Sequence, residues 1–161
     1  MKNLSKALVL CLLVVTIIST CCVGVSANEI AKYELNNGVN LIVSNESLNT
    51  SLIGPRVVDT SFNVNLPAYP DSTQVATDLT LSGGETRLEM SFTRIPTGYV
   101  YISLYDLTGG YYVTSGTNGL YGPVTIGNVF TFTGLTSGHK YRIRMSNYPN
   151  AGTIAGTITS Y

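Results

Sequence analysis

His139 is the side chain that most directly suggests chemistry, because it is the only histidine in the chain. A hydrolytic triad would need this histidine beside a nucleophilic serine and an orienting carboxylate. Serine and threonine are abundant, but no Gly-x-Ser-x-Gly sequence is present to place a nucleophile on a sharp turn. We therefore expect His139 to be a solvent-exposed turn residue without a catalytic role.

Paired carboxylates are the other route to acid and base catalysis. Glu85 and Glu89 fall on the same face of one predicted strand, and Arg87 lies between them on that face. Opposite charges that alternate along a strand favour a solvated charge ladder over a catalytic pair. The sequence thus favours a protein that is not an enzyme. A secreted hydrolase that uses carboxylates ranks third, after the two non-enzymatic functions given at the end of this section.

Metal ligands are too few for the common kinds of metal site. A zinc site built on histidine needs several such ligands, and the chain has one. No Asp-x-Asp-x-Asp loop indicates calcium, and the four aspartates of the chain are scattered singly: Asp59, Asp71, Asp78 and Asp106. We expect neither a metal nor a cofactor.

Tyrosines are the stronger candidates for a binding role, since the chain has eleven of them and no tryptophan. Five lie within fourteen residues: Tyr99, Tyr101, Tyr105, Tyr111 and Tyr112. An exposed tyrosine row can stack on sugar rings or contact another protein, because tyrosine joins an apolar face to a polar tip. The alternative is that the three tyrosines of the central strand only cover its second face.

Three basic residues alternate along one predicted strand: Lys140, Arg142 and Arg144. Such a stripe could contact an acidic polymer of the cell wall. The alternative is a solvated face, which would also discourage edge pairing if the strand lay at the edge of a sheet.

The elements that must position these residues are predicted to be strands. Helix-favouring residues are scarce, whereas threonine, valine, isoleucine, tyrosine and glycine are abundant. Short strands separated by turns every eight to twelve residues are typical of a sandwich or barrel. We expect an all-β fold, an antiparallel two-sheet sandwich of the immunoglobulin or fibronectin kind, with a jelly roll as the alternative.

Apolar and polar residues alternate along most of these strands. Residues 58–66 place valine, phenylalanine and leucine opposite aspartate, serine and asparagine, and residues 75–81 are predicted to form the next strand. Gly83-Gly84 is predicted to be the turn of a hairpin. Residues 99–107 carry large side chains on both faces, which indicates a central strand, and further strands are expected at 129–133, 140–145 and 153–160.

The run Leu135 to Arg144 resembles the loop and strand of fibronectin type III domains. There a leucine and a glycine precede a corner tyrosine whose hydroxyl bonds back to the backbone, so the resemblance implies a structural corner of Leu135, Gly138 and Tyr141. Residues 85–161 also look like the bacterial pre-peptidase C-terminal domain, in the segments Tyr101 to Asp106, Gly138 to Ile143 and Gly152 to Ile158. Both resemblances imply a β-sandwich module.

The N-terminal residues have the features of an export signal. Lys2 and Lys6 precede an apolar run, and Val25-Ser26-Ala27 offers small residues for cleavage, so residues 1–27 are predicted to be a signal peptide with a helical apolar segment. This segment contains all three cysteines: Cys11, Cys21 and Cys22. A retained membrane anchor or a lipid anchor are the alternatives.

The chain that remains after signal cleavage is predicted to have two parts. Residues 28–55, rich in asparagine and serine, are expected to be a leader that is partly disordered or forms one edge strand, and residues 56–161 the β-sandwich domain. The mature chain would keep seven basic and nine acidic residues, a net charge of −2. That balance argues against a nucleic-acid partner.

These observations together predict a secreted bacterial protein that binds a glycan or a protein at the cell envelope or in the extracellular matrix and catalyses no reaction. A self-associating structural, surface or biofilm-matrix protein is the alternative. We expect an extracellular or cell-surface location, with no stable membrane span after the signal is removed.

Overall fold

The computed structural model describes residues 29–45, 58–114, 120–122 and 124–161. The predicted signal peptide and its cysteines lie outside these residues. The described part contains strands and one short 3-10 turn, without an α-helix, and none of its helical segments is long and apolar enough to cross a membrane. Its strands are β1 Glu29–Glu34, β2 Asn40–Ser44, β3 Val58–Leu66, β4 Thr73–Gln74, β5 Leu79–Thr80, β6 Arg87–Arg94, β7 Tyr99–Asp106, β8 Tyr111–Tyr112, β9 Leu120–Gly122, β10 Val129–Thr133, β11 Lys140–Tyr148 and β12 Gly152–Ser160.

These strands form two antiparallel sheets, which confirms the all-β prediction. The first sheet has the order β1-β2-β10-β6-β12-β3. The second has the order β4-β11-β7-β8, with β5 also paired to β11 and β9 to β7. One hydrophobic core draws on the inner faces of both sheets, an arrangement consistent with a β-sandwich.

Residue alternation correctly indicates which side of most strands faces the core. On β6, Leu88, Met90 and Phe92 are buried, and they belong to the same core as Ile102 and Leu104 of β7. Strand β7 is central in the second sheet, between β11 and the short strands β8 and β9, as its two faces of large side chains predict.

The expectation of a loose leader is wrong for residues 29–45. Strands β1 and β2 form a hairpin, and β2 lies inside the first sheet between β1 and β10. The reason is the short apolar run at residues 41–43: Leu41 is 1% exposed and joins the core together with Val39. The folded domain therefore includes residues that were predicted to precede it.

The link between β5 and β6 also differs from its prediction. Gly83 and Gly84 both have positive φ angles, as a tight turn requires. They do not join two paired strands, however, because β5 pairs with β11 in the second sheet and β6 pairs with β10 and β12 in the first. Of the predicted strand at 75–81, only the two residues of β5 form a strand, and β4 lies just before that range.

Candidate binding face on the second sheet

The outward side of β7 carries three tyrosines in a row, because alternate residues of a strand point to the same face. Tyr99 is 41% exposed, and Tyr101 and Tyr105 are half-buried. The residues that alternate with them along β7 point inward and pack in the core: Val100, Ile102 and Leu104. At about 3.3 Å per residue, Tyr99 and Tyr105 mark out a row about 20 Å long.

Neighbouring elements add further rings to this row. Tyr148 of β11 lies directly opposite Tyr99 and is 47% exposed. Tyr69, in the loop after β3, stacks on Tyr101 with ring centroids 4.6 Å apart and planes at 21°. Tyr112 of β8 lies opposite Tyr105 and meets it edge to face at 4.7 Å.

We call this set the tyrosine face; its members are Tyr69, Tyr99, Tyr101, Tyr105, Tyr112 and Tyr148. Four of the five tyrosines singled out by sequence therefore share one surface. Tyr111 does not join them, since it is paired with Asp106 on the inner side of the sheet and packs against the core. Burial, together with the negative charge of Asp106, raises the pKa of Tyr111.

The predicted basic stripe exists as a row on β11, but its arginines are engaged within the molecule. Arg142 donates from Nε and Nη2 to the two oxygens of Asp78, at 2.8 Å each. These hydrogen bonds lower the pKa of Asp78. Arg144 donates from Nε to the Ser72 hydroxyl at 2.9 Å. The two arginines thus bind the segment that contains β4 and β5, and Lys140 is the exposed member of the stripe.

Tyr141 is anchored at the start of β11 as the fibronectin-like motif implies. Its hydroxyl accepts a hydrogen bond from the Thr136 backbone N–H at 2.9 Å, and its ring is 1% exposed. Leu135 is buried, and Gly138 adopts a positive φ of 81° in the intervening turn. The corner therefore fixes the loop before β11 against the core.

His139 lies in the turn before β11 as predicted, but its side chain is only partly exposed. Its Nδ1 lies 2.7 Å from Oδ2 of Asp106, and its side chain is 28% exposed. Oδ1 of Asp106 accepts hydrogen bonds from the backbone N–H groups of Thr108 and Gly109 at 3.0 and 2.7 Å. Burial alone would raise the pKa of Asp106, but the hydrogen bonds from Gly109 and His139 outweigh it, and the pKa is lowered.

A His–Asp pair of this kind can orient an imidazole for general-base catalysis. In the part of the chain that the structure describes, no serine or threonine hydroxyl is hydrogen-bonded to the His139 ring. Asp106 instead bonds to the turn that follows its own strand, and His139 joins that turn to the start of β11. The pair therefore links two loops.

The carboxylates on β6 and just before it also differ from their prediction. Glu85, Arg87 and Glu89 are 3%, 6% and 6% exposed, so they form no solvated ladder. The reason is the central position of β6 in the first sheet, where Arg87 pairs with Glu89 and the Tyr161 ring lies 4.4 Å from the guanidinium carbon. Both oxygens of Glu85 are buried without a hydrogen-bond donor among the described residues.

The described residues contain no group of three or more histidine, cysteine or carboxylate side chains that could hold a metal ion. Sequence reasoning also missed two members of the tyrosine face. Continuing the alternation of β11 from Lys140 would have placed Tyr148 on the outward side. Tyr69 gives no such signal, because only the folded loop brings it to Tyr101.

No family model, curated protein or solved structure matches this chain. The short motifs that it shares with fibronectin type III and pre-peptidase modules thus carry no family assignment.

Proposed function

We propose that this chain is a secreted, non-enzymatic bacterial protein that binds a glycan or protein ligand at the cell envelope or in the extracellular matrix through its tyrosine face. The observation that carries the proposal is the pair Tyr99 and Tyr148. These two rings stand directly opposite each other on adjacent strands, and both are more than 40% exposed.

Side chains directly opposite on antiparallel strands have Cβ atoms about 5 Å apart. Two such rings offer an apolar surface with hydroxyl groups at its rim, which suits the apolar faces and hydroxyl edges of sugars, and also suits protein contacts. The stacked pair of Tyr69 and Tyr101 continues this surface along β7. Rings that are already packed against one another lose little freedom when a ligand binds, which favours affinity.

The absence of enzymatic activity in this proposal is supported by the contacts of the catalytic candidates. His139 and Asp106 are used to join two loops, and Glu89 is paired with Arg87. Exposed Lys140 lies on the same strand face as Tyr148 but at the other end of β11, so its positive charge lies outside the Tyr99–Tyr148 pair.

We also propose that the two sheets form an immunoglobulin- or fibronectin-like sandwich in preference to a jelly roll. The hydrogen bond between the Tyr141 hydroxyl and Thr136 supports this, because a corner tyrosine of this kind is typical of such sandwiches. The loops that it holds lie at the end of the sheet opposite the Tyr99–Tyr148 pair.

A glycan array and a cell-wall pulldown with the chain starting at Asn28 test the proposed function. Any ligand found is then titrated against Tyr99→Ala/Tyr148→Ala. We expect the double variant to bind roughly 100-fold more weakly, since each contact aromatic at an interface contributes on the order of 1.4 kcal/mol. Its stability should change much less than its binding, because both residues are more than 40% exposed and neither belongs to the core.

Tyr33→Ala is the matched control. Tyr33 is 48% exposed but lies on β1 of the first sheet, so its removal should leave binding unaltered. Retention on neither glycans nor cell walls by a well-folded protein would refute the proposal, as would equal losses in Tyr33→Ala and the double variant.

Self-association has weaker support from the strand edges. Strands β1 and β3 end the first sheet, and within the described residues each pairs on one side only. Such edges can accept a strand from another chain. However, Lys32 and Glu34 are exposed on β1, and Asp59 is exposed on β3, and charges at an edge oppose this pairing.

A further inference from the structure

A cavity of about 160 Å³ lies between the two sheets, on the side of the molecule where β3 ends the first sheet. From the first sheet it is lined by Thr60, Leu88, Ile158 and Ser160, which share the inner face of β3, β6 and β12. The second sheet contributes its short strand β5 and the residues before it, including Asp78. Because β5 has only two residues, the second sheet covers this part of the first incompletely.

One polar group that lines the cavity is the Ser160 hydroxyl. Strand alternation places Ser160 on the same inward side as Ile158 and Ile154, both of which belong to the core. Ser160 is 5% exposed, and its Oγ has no hydrogen-bond partner among the described residues. Buried hydroxyl groups are nearly always hydrogen-bonded, because burial without a partner is costly. A serine at this apolar position therefore points to a ligand that supplies the partner.

The chemistry of the lining defines the ligand class. Leu79, Leu88 and Ile158 provide an apolar wall, whereas Ser160 and Thr60 provide hydroxyl groups that both donate and accept hydrogen bonds. The carboxylate of Asp78 is neutralised by the two hydrogen bonds from Arg142 and takes a third from Gln74 at 2.9 Å. This charge balance favours a neutral ligand over a cation.

The size of the cavity sets a further limit. Its volume of about 160 Å³ is about half that of the smallest pockets that hold drug-sized ligands, about 300 Å³. A single small ring or a short polyol fits, and an oligomer does not.

We propose that this cavity, the Ser160 pocket, binds a small neutral polyhydroxylated molecule of about the size of one sugar ring. The apolar face of the ligand lies on Leu88 and Ile158, and its hydroxyl groups bond to the Ser160 hydroxyl and the Asp78 carboxylate. The pocket is separate from the tyrosine face, which lies on the outward side of the second sheet.

Amide chemical shifts in a ¹⁵N-labelled chain test this proposal. Glucose, N-acetylglucosamine, rhamnose and inositol are titrated at millimolar concentration, with 1-butanol as a smaller probe that has an alkyl chain and a single hydroxyl group. We expect at least one of the four polyols to shift the amide signals of Leu79, Leu88 and Ser160 in a saturable manner, and 1-butanol to leave them unchanged. Tyr99→Ala/Tyr148→Ala should show the same shifts, so this result does not depend on the proposed function of the tyrosine face.

Ser160→Ala separates a binding role from a structural one. Removing a buried hydroxyl without a protein partner should leave the melting temperature unchanged or raise it, while the Kd for the polyol weakens about tenfold. Thr60→Val, which removes a second lining hydroxyl at nearly constant volume, should also weaken binding. Thr153→Ala, on the same strand as Ser160 but hydrogen-bonded to Asn65, is the control and should bind as the wild type does.

Three results would overturn the proposal. The first is that no polyol shifts the three amides. The second is that 1-butanol shifts them as strongly as the sugars do. The third is that Ser160→Ala lowers the melting temperature while binding stays unchanged.

Discussion

The hydroxyl of Tyr141 lets a single atom be tested without disturbing the core. Tyr141→Phe keeps the buried ring and removes only the hydroxyl, with the hydrogen bond that it accepts from the Thr136 N–H and the longer one, 3.4 Å, that it donates to the Thr136 carbonyl oxygen. We expect the free energy of unfolding to fall by about 1 kcal/mol, the typical net contribution of one such bond. Urea denaturation with an unchanged m-value measures this loss. Tyr148→Phe, which removes an exposed hydroxyl, is the control, and an equal loss in both variants would contradict the role given to the corner.

The charge of Asp106 should make the stability of the fold depend on pH in the acid range. Its folded-state pKa is lowered from 3.8, so the charged carboxylate stabilises the fold at neutral pH and this stability is lost as pH falls through the folded-state pKa. Asp106→Asn keeps the shape but not the charge. We expect the variant to be about 2 kcal/mol less stable than the wild type at pH 6, because hydrogen bonds to a charged group are strong, with the difference shrinking below pH 3.8.

Guanidinium denaturation at several pH values, with the Asp106 carboxyl carbon followed by NMR, measures this effect. A constant stability difference between the two proteins from pH 6 to below pH 3 would contradict it. The loops that Asp106 joins to His139 should then loosen in acid, which backbone hydrogen exchange would detect.

At the scale of elements, the alternation of apolar and polar residues predicts the buried face of a strand, whereas turn residues do not predict which strands pair. The inward side of β3, β6, β7 and β11 could be read from the sequence, because burial imposes a period of two on any strand with one face in a core. The hairpin predicted at Gly83-Gly84 was wrong for a physical reason. Glycines with positive φ occur in hairpin turns, and here they occur in a connection between the two sheets. The partner of a strand depends on contacts distant in sequence, which local residue types do not encode.

In the candidate site, too, the sequence predicts which residues share a strand face but not which distant residues they contact. Three tyrosines of β7 could be placed on one face from the sequence, and the fold supplied Tyr69 and Tyr148 from the distant β3–β4 loop and β11. The arginines of β11 could be placed on one strand face, but their pairing with Asp78 and Ser72 could not, since it joins residues 64 and 72 positions apart. Burial of Glu85 and Arg87 was missed because β6 was not known to be central in its sheet.

The whole molecule uses its two sheets differently. The second sheet presents the tyrosine face outward, whereas the first provides six strands that hold the core together from the N-terminal hairpin to β3. The N-terminal hairpin also contacts the second sheet: the Asn36 side-chain amide donates to the carbonyl oxygen of Tyr112 at 3.0 Å. Residues 29–45 therefore connect both sheets.

That connection makes the domain boundary testable. A chain of residues 46–161 lacks β1 and β2, so it loses the buried Val39 and Leu41, leaves Phe132 and the edge of β10 uncovered, and breaks the Asn36 contact. Each buried aliphatic side chain contributes about 2 kcal/mol. We therefore expect this chain to be at least about 4 kcal/mol less stable than residues 28–161, enough to unfold a domain of ordinary stability. Circular dichroism and thermal melting of both chains measure the difference, and Leu41→Ala in the longer chain should show an intermediate loss. A cooperative melt of residues 46–161 at the temperature of the longer chain would show instead that the hairpin is an appendage and that the domain begins after it.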